Sequence, residues 1–216
     1  MAVVGARLLF AAVPRLVLAS ASPARLSTLR AAGVEPHVVV SSVDEEAVVS
    51  AGGATEAVDV ALMLARAKAE DVAARRDLPD GAVVLACDSV LELDGEVHGR
   101  PASTSEATDR WRRMSGGTGV LHTGHWLVDL RAGGTGRLGA VSSTVVHFAD
   151  LTDDEIEAYV ATGEPLRVAG AFTVDGLGGP YVRGVEGDHH GVVGLSLPLL
   201  RDLLSELGIV WHTLLT

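Results

Sequence analysis

"RLVLASASPARLSTLRAAG", residues 15–33, changes character halfway along. The first five residues read as a short buried strand. The remainder carries helix punctuation, with Ser22 as N-cap, Pro23 at the first helical position and Gly33 just past the end. A strand that breaks into a helix through a tight turn leaves the first-turn N–H groups and the positive end of the helix dipole facing outward, which suits a phosphate. Ser20 and Ser22 add hydroxyls there, and Arg25 adds a planar fork matched to phosphate oxygens. Ser-Pro before a helix is also an ordinary cap, and the paired glycines followed by Lys-Ser or Lys-Thr of a P-loop are missing. The stretch therefore needs support from the rest of the chain.

Working outward, the alternation of strand and helix continues, which is the pattern of an α/β fold. "EPHVVVSSV" (35–43) reads as a strand running into the acidic residues 44–46, and a long helix is expected from about Thr55 to Arg76. "GAVVLACDSV" (81–90) is an apolar strand expected to end at Asp88, and "LELDGEV" (91–97) is a hairpin with Asp94-Gly95 at its turn. Residues 103–114 read as a helix, 119–149 as two long strands around a Gly-rich turn, and 152–163 as a capped helix with an acidic first turn. Residues 170–187 read as Gly-rich and strand-like, and 194–208 as a closing helix. No repeat, linker or low-complexity tract interrupts the pattern. Residues 1–14 are read as an N-terminal extension whose apolar run is too short to span a bilayer, and 15–216 as a single domain.

Composition excludes several functions. Hydrophobic residues make up 48% of the 216, aromatics only 4%, so the core is expected to be Val, Leu and Ala. A formal charge of −11 argues against a nucleic-acid-binding face, which needs basic residues to release counterions. No segment reads as a membrane span. The single cysteine, Cys87, permits no internal disulfide and fits a reducing cytoplasm.

Lys68 is the only lysine among the 17 Lys and Arg residues. On the expected long helix its neighbours at helical spacing include Leu64, Ala65 and Val72, whereas Asp59, Arg66 and Glu70 mark the solvated face. A lysine stem packed on the core with its ammonium snorkelling out is the ordinary account. The inward position and the exclusion of Arg favour a slim cation contacting an anion in a cleft. Asp44 and Asp88 each follow an apolar run, where α/β sheets place their chemistry; together they are expected to hold a divalent cation, with Arg100 of "HGRP" (98–101) nearby.

These segments together resemble the Maf family of nucleoside triphosphate pyrophosphatases, also called septum formation inhibitors. The resemblance is carried by "LASASPARLSTLRAAG", "VDE", "LARAKA", "CDSVLELDGEVHGRP", "MSGGTG…HTG", "GEPLRVAGAF" and "VEGDHHGVVGLSLPLL" in order, from Arg15 to about Gly208. It implies a mixed, twisted α/β sheet with flanking helices related to the inosine triphosphatases, two lobes around a deep cleft, and often a homodimer. The implied reaction converts a nucleoside triphosphate and water to the monophosphate and pyrophosphate with Mg²⁺ or Mn²⁺. The resemblance further implies Asp88 as general base and Lys68 as the cleft lysine. Ser20, Ser22, Arg25 and Arg100 would bind phosphate, and Asp44, Glu45 and Asp88 would lie on the metal side. Three specificity positions depart from both known branches: Ala24 replaces Arg or Trp, Ser89 replaces Thr or Gln, and Asp175 replaces Gln or Glu. Base preference is left open. A second reading is a nucleotide-binding regulator of septum formation with little turnover.

The remaining conspicuous residues have plainer readings. His122 and His125 lie three apart on an expected strand and so point to opposite faces, which disfavours a metal pair. Cys87 likewise points away from Asp88 and reads as a core thiol. Trp111, Trp126 and Trp211 read as packing, and His189 and His190 as exposed loop residues. Glu186 and Asp188 read equally as cleft lining or as caps.

Overall fold

The computed structural model describes residues 14–134 and 136–216; residues 1–13, most of the expected N-terminal extension, lie outside them. Strand β1 (Arg15–Leu18) leads through residues 19–22 into α1 (Pro23–Ala31). The Ser22 Oγ accepts from the Arg25 N–H at 3.4 Å, and Gly33 leaves the helix at φ 80°. After β2 (His37–Val38) come α2 (Glu45–Gly52) and α3 (Ala57–Ala73). Strands β3 (Ala82–Leu93) and β4 (Glu96–His98) form the hairpin, and both turn residues, Asp94 and Gly95, have positive φ, as a primed turn requires. Then follow α4 (Thr104–Met114), β5 (Thr118–Asp129), β6 (Arg137–Phe148), α5 (Asp153–Ala161), β7 (Val182–Glu186), α6 (His189–Val193) and α7 (Leu197–Glu206).

The strands form one mixed seven-stranded sheet in the order β2-β1-β3-β5-β6-β7, with β4 also paired to β3. This is an α/β architecture with helices on both faces. β1 runs parallel to the first part of β3, from Arg15 opposite Ala82 to Leu18 opposite Leu85. β4 takes over the same edge only at Leu91. Between Leu85 and Leu91 that edge carries no ladder partner among the described residues, because β1 has already turned off towards α1. Asp88 sits in this gap, in the middle of a continuous 12-residue strand.

Four expectations need correction. β3 does not end at Asp88, since β5 pairs with it from Val83 to Glu92. Residues 44–46 do not trail a strand: the Asp44 carboxylate accepts from the Ala47 N–H at 3.0 Å and starts α2, which stops at Gly53 with φ 66°. The long helix is correspondingly shorter than Thr55–Arg76, at Ala57–Ala73. Residues 170–181 form a loop between two 3₁₀ turns, Ala169–Ala171 and Gly179–Tyr181, instead of a strand, with Gly170 and Ala171 at positive φ, and only 182–186 pair with the sheet. At 44–46 and 170–181 local cap and turn chemistry overrode the β-like composition.

Side chains alternate along β3 and divide the core. Val83, Leu85 and Cys87 pack with Leu29 of α1 and with Leu200, Leu203 and Leu204 of α7. On the opposite face Val84 and Ala86 meet Ala69 and Val72 of α3, and Val90 meets Ala61 and Leu64. A separate cluster around Trp111, Phe148 and Tyr159 lies at the far end of the sheet.

Gly124 of β5 lies opposite Asp88 and permits this packing. A Cβ there would stand 2.3 Å from the Ala61 carbonyl oxygen of α3, so the helix backbone rests directly on the strand. Gly124→Ala is expected to lift α3 and to cost about 1–3 kcal/mol, the usual penalty for overpacking. A lower thermal melting temperature would report it, and a loss of activity larger than the loss of folded protein would report displaced Lys68.

Candidate active site

The phosphate-type turn is internally braced. The buried Ser20 Oγ accepts from the Ser22 N–H at 3.1 Å and from Arg25 Nη1 at 3.3 Å. Arg25 also donates Nε–H to the Gly194 carbonyl at 2.8 Å and Nη2–H to Ser89 Oγ at 3.3 Å. Ser89 lies 2.8 Å from Thr123 Oγ1, whose own proton goes to the Gly191 carbonyl at 2.8 Å. With the threonine proton used, the serine must donate to it. A directed chain therefore runs from Arg25 through Ser89 and Thr123 to α6, and it holds the guanidinium in one orientation at the first turn of α1.

Asp88 and Ser89 are adjacent on β3 and face opposite sides, so the site wraps around the open edge of the strand. On the α3 side, Lys68 forms an ion pair with Asp88 and a second with Glu45 Oε1 at 2.7 Å. The Lys68 and Asp88 side chains are only 13% and 10% exposed, too buried to be a surface pair, and Glu45 is 38% exposed. Arg100 approaches the other Glu45 oxygen at 3.8 Å. Burial pushes the Asp88 carboxyl above the usual carboxylate range, with the charges of Lys68 and Arg25 opposing that rise. For Glu45 burial also pushes upward, but Lys68, Arg100 and Arg25 outweigh it and hold the group below its usual range. Arg25 thus acts on both carboxylates from the far side of the strand edge.

Ser20, Arg25, Glu45, Lys68, Asp88 and Arg100 are brought together, with Ser22 capping α1 and Ser89 bonded to Arg25. Asp44 is not. It is exposed and spends its carboxylate on the α2 N-cap, so the acid facing Lys68 is Glu45, one residue further on. Ala24 is half-buried in the first turn of α1. Asp175 is exposed on a loop whose shape is set by Glu164, which accepts from Tyr159 Oη, Thr173 Oγ1 and the N–H groups of Leu177 and Gly178. No hydrogen bond among the described residues joins Asp175 to Arg25, Lys68 or Asp88.

Among the described residues no group of three or more His, Cys, Asp and Glu side chains comes together to hold a metal ion. Glu45 and Asp88 face one ammonium, however, and two hard oxygen donors suit a cation delivered on phosphates better than a protein-built cage would. A hollow of about 430 Å³ lies instead at the start of β1, among Pro14, Val34, Pro79 and Leu215. It touches none of the converging charges, and the chemistry follows the charges.

His122 and His125 do face opposite ways. His122 lies between Ser143 Oγ at 2.8 Å and Glu92 Oε2 at 3.0 Å. His125 is fully buried: Nδ1–H donates to the Thr123 carbonyl at 3.0 Å, and Nε2 accepts from the Ser196 N–H at 2.8 Å. Cys87 is a buried core thiol pushed up to about 12. Trp111 packs in the core with its indole N–H on the Ala171 carbonyl, while Trp126 and Trp211 are half-buried. His189 and His190 are exposed, Asp188 caps the short α6, and Glu186 pairs with His147 at the surface. The sequence reading passed over Thr123 and the Gly191 and Gly194 carbonyls; the "HTG" motif (122–124) was the signal for Thr123, and the two carbonyls, as backbone groups, had none.

An α/β fold with a phosphate-type turn and a buried lysine–carboxylate cluster defines a class of phosphate-handling proteins, and comparison identifies which. The family model for Maf-like proteins matches residues 15–207. Proteins called nucleoside triphosphate pyrophosphatase are 59% identical in Salinispora tropica, over 90% of this chain and 84% of that protein, and 56% identical in Streptomyces coelicolor, over 90% and 91%. One of the same name in Leifsonia xyli is 52% identical over 93% and 96%. The chain belongs to the Maf family.

The buried neutral imidazole of His125 makes stability pH-dependent. Burial lowers its pKa to about 4 in the fold, against 6.5 for an ordinary histidine. The unfolded chain therefore binds the extra proton first, and stability is lost as pH falls from about 6.5 towards 4. The contribution is about 3 kcal/mol when fully lost. Urea unfolding at pH 7, 5.5 and 4.5 should show a shallower acid decline for His125→Gln than for the unmodified chain.

Proposed function

We propose that this chain hydrolyses a nucleoside triphosphate to the monophosphate and pyrophosphate, in the cytoplasm, as a nucleotide-pool enzyme. The observation that carries the reading is the buried Lys68 ammonium shared by Asp88 and Glu45 beside the Ser20–Arg25 turn. The names of the relatives support it. A regulator with little turnover is less favoured, because a binding site needs cations for phosphate but has no use for a carboxylate buried among them.

Asp88 serves as the base. Burial raises its affinity for a proton, and the Lys68 ammonium opposes that rise. A water positioned at this carboxylate gives up its proton and attacks the α-phosphorus. The α–β bridging bond breaks, and the electron pair leaves with pyrophosphate. Arg25, Lys68 and the N–H groups at the start of α1 stabilise the charge growing on the phosphate oxygens, and Arg100 assists from the opposite side. A divalent cation carried on the phosphates, with Glu45 and Asp88 as its protein donors, would neutralise phosphate charge and acidify the attacking water. Base recognition falls to Ala24, Ser89 and Asp175: a small Ala24 leaves room, and the Asp175 carboxylate can only accept hydrogen bonds from a base edge.

Asp88→Asn is expected to remain folded and to lose at least ~100-fold in turnover, the low end for removal of a general base. Pyrophosphate release from a panel of canonical and modified triphosphates, with Mg²⁺ or Mn²⁺, checks this and identifies the base. Lys68→Met removes the charge that opposes the rise at Asp88. The acid limb of its residual kcat/KM profile should move to higher pH, and an unmoved limb would detach Asp88 from the role of base.

A further inference from the structure

We propose that Arg110 is a positioning residue that aims Arg100 at the site from behind, together with Glu106; the inference rests on the reading that Arg100 meets substrate phosphate. Arg110 lies on α4 with its side chain only 3% exposed, and it reaches no substrate-facing group itself. Its Nη1–H donates to the Gly99 carbonyl at 2.6 Å, and its Nη2–H to Glu106 Oε1 at 2.6 Å. The other Glu106 oxygen accepts from the Ala102 N–H at 2.8 Å. One arginine–glutamate pair thus grips both ends of the four-residue segment 99–102. The Gly99 carbonyl also accepts from the Gly170 N–H at 3.2 Å, and Pro101 inside the segment is buried. Arg100 is the one charged side chain of the segment and turns outward, 60% exposed and 3.8 Å from Glu45.

A guanidinium this buried is a poor way to stabilise a protein. Desolvation offsets most of what its ion pair contributes, and an apolar residue of similar volume serves a core as well or better. Arg110 Nε is moreover left without a hydrogen-bond partner in the structure. What the side chain supplies that a methionine would not is a fixed direction for the backbone of residues 99–102. Loss of that direction spreads Arg100 over many orientations, and binding then has to select one of them.

The test is a double-mutant cycle on the full chain, with inorganic triphosphate as the binding probe and pyrophosphate release from a nucleoside triphosphate as the second readout. Arg100→Met is expected to weaken triphosphate binding about ten-fold, as for one charge-assisted contact. Arg110→Met should come within about three-fold of that loss, chiefly in KM, with a melting temperature close to that of the unmodified chain. The double variant should bind no more weakly than Arg100→Met alone. Unchanged binding in Arg110→Met, or losses that multiply in the double variant, would overturn the proposal. Should Arg110→Met fail to fold, Glu106→Gln, whose single amide oxygen can no longer accept from both Arg110 and the Ala102 N–H and which carries no charge, is read in the same cycle against the same two outcomes. An unmodified chain that releases no pyrophosphate from any triphosphate, yet shows the coupled binding losses, would remove the hydrolase reading and leave the positioning role standing.

Discussion

One ammonium between two carboxylates, covered by a helix, is the constraint on which the arrangement depends. The Lys68 and Asp88 side chains are largely shielded from water and Glu45 is half-buried, and a charge taken out of water is tolerated where an opposite charge is paired with it. Their mutual pairing requires α3 to lie on β5 at backbone contact distance, which Gly124 permits and which Ala61, Ala65 and Ala69 extend along the helix. The small residues on that face are therefore part of the active site's construction, although none of them carries a functional group. They also account for the lone lysine. A thin stem passes between helix and sheet, whereas a guanidinium fork would need width that the close packing withholds.

β3 organises the rest. Its first part is paired to β1 and its last to β4, and the interval between them exposes an edge. Because successive residues face opposite sides, Asp88 can belong to the α3 side and Ser89 to the α1 side while both remain at that edge. Two charge systems meet there: the pair of carboxylates with Lys68, and Arg25 held by Ser20, Ser89 and Gly194. A triphosphate placed across the edge would meet cations from both faces. A chain of net charge −11 can in this way offer a polyanion a locally positive point, because Arg25, Lys68 and Arg100 outnumber the two carboxylates there.

Outside that point, carboxylates largely organise loops. Glu164 gathers four donors to shape the turn that carries Asp175, and Glu106 holds the segment that carries Arg100. Asp44 and Asp188 start helices. An acidic residue in this protein is thus more commonly a local fastener than a ligand, and the two acids at the site stand apart because they share one largely buried ammonium.

Some helix caps were legible in the linear order of residues. The caps at Ser22 and Thr152 act within three residues, so the starts of α1 and α5 follow from short-range chemistry alone, whereas the closing helix, expected from Gly194, starts at Leu197 behind a Ser196 cap. The hairpin at Asp94-Gly95, the two long strands and the inward face of Lys68 were legible for the same reason, and the order of motifs carried the family. The partition of the acids was not. Asp44 and Glu45 differ by one residue, and choosing between them requires knowing that a helix begins there. Asp88 looked like a strand end because the chain does not announce that β3 changes neighbours halfway. Gly194 reaches Arg25 across 169 residues, and Arg110 reaches the site only through the backbone of another segment. Such groups become partners when the sheet closes and the helices dock, because burial, and not sequence spacing, determines which polar atoms must find each other.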